Sequence, residues 1–216
     1  MDTEVREELP AAERVYQHVR QAVLERRVEV GTLLTEGQIA AEVGVSRTPV
    51  REGLLRLEAQ GLLRLYPKRG ALVLPISGRE ADDVFEAREL IETFAATKVW
   101  PRRARLVERL EPVLARMRER RAADDVGALM TADREFHALV VEEAGNGVLA
   151  KLYESLRDRQ MLMGVAALRV DPERMDRAVD EHAEMLDVLR DGDERQFRRL
   201  VHRHVTDAAR HLRTAR

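Results

Sequence analysis

The 216-residue sequence contains no cysteine, which excludes a disulfide framework, a thiolate metal site, an iron–sulfur cluster and a cysteine nucleophile. Any metal must be held by histidine, aspartate or glutamate. Long apolar runs are missing as well. Charged residues make up 35%, the mean hydropathy is −0.39, and no stretch approaches the roughly 18 apolar residues that cross a bilayer. No membrane role is expected. The first ten residues, M-D-T-E-V-R-E-E-L-P, lack the basic and apolar segments of a secretory signal, so a cytoplasmic location is expected. Lysine is scarce, with only Lys68, Lys98 and Lys151 among 37 basic residues; genome composition can produce that bias, and it carries no functional argument.

What is present is unevenly placed. The net charge is −2, yet residues 1–42 hold five Arg against nine Asp or Glu, a net of −4. Residues 43–75 hold Arg47, Arg51, Arg56, Arg64, Lys68 and Arg69 against Glu52 and Glu58, a net of +4. A basic island inside an acidic chain is the footprint of a small nucleic-acid-binding element.

Apolar residues recur at three- and four-residue spacing from Val15 onward, so the chain reads as mostly α. The exception is L-L-R-L-Y (62–66) and A-L-V-L (71–74) around P-K-R-G, which reads as a short β-hairpin. Pro75, followed by Ser77 with Glu80 three residues on, predicts a domain boundary near residue 76. Two domains follow, 1–75 and 76–216. In the second, helices are predicted over about 78–99, 103–121, 125–145, 146–167, a fifth opened by Asp171 and Pro172 and stopped at Gly192, and a sixth capped by Asp193. This is an all-α six-helix bundle. Residues 1 to about 9 are expected to be disordered.

In the first domain, helices over about 11–27, 36–43 and 47–60 precede the hairpin. Thr35 with Gln38 forms a capping pattern, Gly44 supplies a tight helix-to-helix turn, and Ser46 caps the third helix. Arg47, Thr48 and Arg51 then crowd one helix N-terminus, where a recognition helix meets base edges and phosphates. Val50, Leu54, Leu55 and Leu57 are expected to pack against Val15, Val19, Val23, Ile39 and Val43. The tip P-K-R-G makes the hairpin a wing, with Lys68 and Arg69 suited to a minor groove and Gly70 to close backbone approach. Taken singly, each arginine is equally well a solvated surface residue; together they form a winged helix-turn-helix.

In the second domain Asp133 and His137, four apart in D-R-E-F-H, project from one helix face. His182 lies in D-E-H-A-E-M-L and His204 in V-H-R-H-V. Three imidazoles and a carboxylate suit a divalent metal such as zinc or nickel; a hydrogen-bonded helix histidine is the alternative for each. His18, His202 and His211 are expected at the surface.

The stretch L-T-E-G-Q-I-A-A-E-V-G-V-S-R-T-P-V-R-E-G-L-L-R-L-E-A-Q-G-L-L, followed by P-K-R-G-A-L-V, resembles the winged-helix signature of GntR-family transcriptional regulators. The resemblance implies DNA contacts from Ser46, Arg47, Thr48 and Arg51, with Lys68, Arg69 and Gly70 in the wing. Val30-Gly31 stands where the family usually has Pro-Gly, and Gly37 where some members carry an operator-contacting arginine; these departures bear on operator choice rather than fold. D-R-E-F-H, A-G-N, E-H-A-E-M-L and a histidine eleven residues after Asp193 resemble the ligand-binding FCD domain of the FadR-like branch. That resemblance implies a metal held by Asp133, His137, His182 and His204, and it assigns Arg88, in E-A-R-E-L-I-E, to an organic-acid effector through a bidentate pair. The alternative for Arg88 is an ion pair with Glu92.

The expectation is a non-enzymatic, ligand-responsive homodimer that binds a palindromic double-stranded operator, with repression the expected mode. Two alternatives stand beside it: a metal-dependent hydrolase carrying a winged helix, and a metal sensor with no organic effector. For hydrolysis the nearest general-base candidates are Glu135 and Glu181, which adjacency to ligands in sequence turns away from the ligand face.

Overall fold

The structure, a computed structural model, describes residues 9–170 and 173–214. The acidic start and the Asp171–Pro172 opening of the fifth bundle helix lie outside the described residues. The chain divides into two compact units, Met1–Pro75 and Ile76–Arg216.

The first unit contains α1 (Ala11–Leu24), β1 (Leu33–Leu34), α2 (Glu36–Val43), α3 (Arg47–Ala59), β2 (Leu63–Tyr66) and β3 (Gly70–Val73). Thr35 and Gln38 close a reciprocal capping box at α2, and Gly44 ends it in the left-handed region at φ 71°. Ser46 holds the cap position of α3 but makes no side-chain capping bond. Val50, Leu54 and Leu57 bury against Val15, Val19, Val23 and Ile39. Leu55 does not join them: one step of about 100° from Leu54 leaves it 54% exposed. The hairpin has a third, unpredicted partner, since β1 pairs with β3 in an antiparallel sheet of order β1-β3-β2.

The second unit comprises α4 (Gly78–Lys98), a 3-10 turn at Trp100–Arg102, α5 (Arg103–Ala122), α6 (Val126–Glu143), α7 (Gly147–Ser155), α8 (Arg157–Val170), α9 (Glu173–Asp191) and α10 (Glu194–Thr214). The mostly α architecture stands, but the bundle has seven helices among the described residues, not six. The span read as one helix from Asn146 breaks at Leu156 without glycine or proline. There the Leu156 N–H bonds to Tyr153 O, a three-residue closure, and Ser155 Oγ donates to Leu152 O, an alternative to the regular ladder. Asn146 caps α7, accepting from Val148 N and Leu149 N, and Asp193 caps α10 reciprocally with Gln196. Ser77 caps α4 by accepting from Glu80 N, while the Glu80 carboxylate takes Arg159 instead of reaching back. Leu106, Leu110, Val113 and Met117 of α5 anchor an apolar core with Leu129 and Phe136 of α6, Met185 and Leu189 of α9, and Phe197 of α10. No described helix is long and apolar enough to cross a membrane.

Candidate functional site

In the first unit, Ser46, Arg47, Thr48 and Arg51 are all exposed at the N-terminal end of α3. Six basic side chains give residues 43–75 their charge, but they are not equivalent. Arg56 pairs with Glu13 at 2.6 Å and lies 4.1 Å from the Tyr16 ring centre. Arg51 donates to Glu36 at 2.8 Å, which orients its guanidinium across the start of α2 and α3. Arg47, Arg64, Lys68 and Arg69 make no ion pair among the described residues. At the wing tip Arg69 N–H closes a turn onto Tyr66 O at 3.0 Å, with Pro67 leading and Lys68 at φ 62°. Gly70 (φ 124°) is required by the fold itself, because a Cβ there would lie 2.1 Å from Leu34 O of β1.

In the second unit, three helices converge on one polar interior point. Asp133 and His137 come from α6, His182 from α9 and His204 from α10. All four are buried, and one ligand atom from each lies within 4.8 Å of the others. Every imidazole Nδ1 faces an atom that only accepts. His137 Nδ1 lies 2.8 Å from Glu92 Oε2, His182 Nδ1 2.6 Å from Ala178 O, and His204 Nδ1 2.5 Å from Glu181 Oε2. Each Nδ1 must therefore carry the hydrogen, which leaves each Nε2 a bare lone pair in the neutral ring. Those lone pairs face one another, with His137 Nε2 3.1 Å from both His182 Nε2 and His204 Nε2, and Asp133 Oδ1 3.5 Å from His182 Nε2. Lone pairs cannot bond to lone pairs, so in this tautomer the arrangement is suited to a cation at its centre.

A proton is poorly suited to that role. Burial, reinforced by the neighbouring His204, pushes His182 down to about 3. Burial also lowers His137, against the pull of Glu92. Burial works to raise Asp133, but the surrounding histidines and Arg88 outweigh it and hold the carboxyl at about 2. An ionised carboxylate and three neutral Nε2 donors, each fixed from behind, are a donor set that fits a divalent transition metal.

Glu181 is thus not turned away from the site as its adjacency to His182 predicts. It turns from His182 but faces His204 across the α9–α10 contact. Glu135 does lie outside, paired with Arg116 at 2.6 Å. His202 is exposed and bonded to Glu89, and His18 bonds Glu42.

Arg88 forms the ion pair with Glu92 that its spacing allows. Its Nε donates to Glu92 Oε1 at 2.8 Å in a buried pair, while its Nη2, also buried, has no hydrogen-bond partner among the described residues. Burial would push the Glu92 carboxyl up, but Arg88 and His137 hold it well below the ordinary range. Tyr153 OH donates to the same Oε1 at 2.8 Å and accepts from Arg134 at 3.0 Å. Beside this network lies a cavity lined by Arg88, Asp133, Arg134, Gln160 and His204, with Met117, Leu129, Met163 and Leu212 as apolar wall. Sequence reasoning missed Tyr153, Arg134, Gln160 and the outer roles of Glu92 and Glu181. Arg88 and Glu92 at i, i+4 on a buried face were the available signal.

Residues 11–73 match the model for bacterial regulatory proteins of the gntR family, and residues 83–207 match the FCD domain. The gluconate operon transcriptional repressor of Bacillus licheniformis is 25% identical over 199 residues, covering 90% of this chain and 82% of that protein. The HTH-type transcriptional repressor RspR of Escherichia coli K12 is 26% identical over 226 aligned positions, covering 100% and 95%. Among solved structures, a putative GntR regulator from Rhodococcus sp. RHA1 superposes with a TM-score of 0.82 at 22% identity, covering 95% of this chain and 98% of that one. E. coli McbR/YncC superposes with a TM-score of 0.80 at 18% identity, covering 96% and 99%. The structural likenesses speak for the fold, and the two matched domains for the lineage: the chain belongs to the GntR family of transcriptional regulators, in the group whose second domain is an FCD domain.

Proposed function

We propose that this protein is a homodimeric, metal-containing repressor whose grip on a palindromic operator is released by a small organic acid. Ser46, Arg47, Thr48 and Arg51 contact the major groove, and Lys68 and Arg69, on the turn that Gly70 permits, contact the backbone and minor groove. Asp133, His137, His182 and His204 hold a zinc or nickel ion, and Arg88 meets the effector. The observation that carries the reading is the triad of Nδ1-anchored histidines turned inward beside a cavity that Arg88 lines. Such an ion would give a carboxylate a Lewis-acidic point of attachment. The two buried or half-buried glutamates beside the site, Glu92 and Glu181, are already engaged by imidazoles, which favours binding over hydrolysis.

One winged helix reads few base pairs, so specificity requires two copies on a two-fold site. The acid acts by binding better to the dimer state whose wings misfit the operator. The test is operator affinity, by fluorescence anisotropy, of protein with metal alone and with metal plus acid. Acid is expected to weaken binding about 5- to 150-fold, the range of a coupling of about 1–3 kcal/mol, while metal alone leaves DNA bound. Release by metal alone would instead make the ion the effector. Elemental analysis of wild type and His204→Ala completes the test: no divalent metal in the wild type, or equal metal in the variant, contradicts the proposed site.

A further inference from the structure

The sheet order β1-β3-β2 leaves β2 at an edge, where backbone amides on the outer side have no strand to pair with. One of them is occupied all the same. Leu65 N–H donates to Glu58 Oε1 at 2.7 Å, and Glu58, half-buried, lies one residue before the last of α3. Among the described residues, the other hydrogen bonds from the end of α3 to the chain after it are Gly61 N–H to Glu58 O and Leu62 N–H to Leu57 O. Both stop before β2 begins at Leu63.

This bond joins the two elements that carry the basic charge. α3 is one continuous helix with Arg47, Thr48 and Arg51 at its start and Glu58 near its end. Beyond Leu65, the turn closed by Arg69 N–H onto Tyr66 O sets the position of Lys68 and Arg69. The other side of the sheet is held separately, because β1 pairs with β3. Glu58 therefore fixes where β2 and the tip beyond it stand relative to the arginines of α3. Its charge works in the opposite sense. Glu52 and Glu58 are the two acids in residues 43–75, and by charge alone the loss of either should tighten DNA binding. What the Glu58 carboxylate offers in return is a charge-assisted bond to an edge amide. We propose that Glu58 is a positioning residue for DNA recognition, which holds the wing at a set place beside α3 so that both meet one half-site together. This rests on the reading of α3 and the wing as the DNA-contacting elements.

The experiment is fluorescence anisotropy of the full-length protein on a DNA fragment that the wild type selects from a random pool. Glu58→Ala is expected to weaken binding about 3- to 10-fold, the loss of one hydrogen bond, although it removes a negative charge. Glu58→Gln, whose amide oxygen still accepts from Leu65 N–H, is expected to bind at least as tightly as wild type. In a Lys68→Ala/Arg69→Ala background, Glu58→Ala is expected to cost less than about twofold, because the wing it positions no longer grips. Binding at or above the wild-type level in both Glu58 variants would show that the residue acts through charge alone and overturn the proposal. Equal weakening in both variants, or a Glu58→Ala loss undiminished in the Lys68→Ala/Arg69→Ala background, would place its effect outside the Leu65 bond or the wing and overturn it equally. If Lys68→Ala/Arg69→Ala itself bound as wild type does, the reading of the wing would fail, and this proposal with it.

Discussion

Glu92 is the residue that joins Arg88, of the proposed effector site, to His137, of the proposed metal site, and Glu92→Gln isolates what it does. The carboxylate accepts from Arg88 Nε and Tyr153 OH at Oε1, both at 2.8 Å, and its Oε2 lies 2.8 Å from His137 Nδ1 as an ion-pair contact. A glutamine of the same shape keeps one oxygen. The buried Arg88 cation claims it, and the new NH2 is left facing His137 Nδ1. Two donors cannot face each other, so His137 must move its hydrogen to Nε2, the atom turned toward the other ligands. Loss of such an outer partner costs about 10- to 100-fold in metal affinity, or about 1.4–2.7 kcal/mol. Removing the charge partner of buried Arg88 adds a stability loss that complete removal would put at about 3–5 kcal/mol; the retained amide oxygen should keep it toward the lower end. The assay is competition for zinc against a chelating indicator, with melting curves of metal-free and metal-loaded protein in parallel. A Glu92→Gln protein that melts lower but binds zinc as tightly as wild type would refute the tautomer argument and leave Glu92 a purely structural partner of Arg88.

Arg47→Ala should weaken operator binding about 5- to 150-fold, the loss of a good base contact, and Lys68→Ala should lower the salt slope of binding by about one; anisotropy across a salt series measures both, and unchanged operator affinity in Arg47→Ala would contradict the assignment of α3. Gly70→Ala should destabilise the wing by about 1–3 kcal/mol, because its Cβ meets Leu34 O and its φ is positive; the first unit's melting transition should fall and DNA binding with it, while zinc affinity stays unchanged. The metal-free protein should lose stability as pH falls: His182 is held at about 3 and Asp133 at about 2, so the unfolded chain binds more protons through the interval between those values and the ordinary ones, about 6.5 and 3.9. Stability therefore rises with pH across that window, and a chemical-denaturation midpoint flat from pH 6.5 to 4 would contradict the burial of a neutral His182.

Local signals were the legible ones. Thr35 with Gln38, Gly44, Asn146 and Asp193 act within four residues of themselves, and the structure places each where its spacing predicts. The features that escaped depend on neighbours far away in sequence. β1 is two residues long and becomes a strand only because Leu33 and Leu34 meet Leu72 and Ala71. The break at Leu156 has no glycine or proline to announce it. Ser46 occupies a capping position that any reading of S-R-T-P would assign, yet its side chain makes no capping bond there.

The same distinction holds inside the site. The four proposed metal ligands were legible because aspartate and histidine announce metal chemistry by type, and Asp133 with His137 share a helix face by spacing. The residues that set their tautomers were not: Glu92, Glu181 and the Ala178 carbonyl earn their roles by facing an Nδ1, and only two of those pairs link different helices, Glu92 with His137 and Glu181 with His204. Burying Arg88, Glu92, Asp133, Arg134, Gln160, His137, His182 and His204 together is costly for a bundle of this size, since apolar residues of similar volume would often serve stability as well or better. An interior that keeps so many polar groups, with Nε2 lone pairs opposed and Arg88, Arg134 and Gln160 each retaining an unpaired atom, is balanced for partners that complete it. In the proposed function a cation would offset the first deficit and a polar ligand the second, which would link the stability of this unit to the occupancy of its site. That linkage is what a regulator requires, because a ligand shifts an equilibrium only by the difference in free energy it gains between two states.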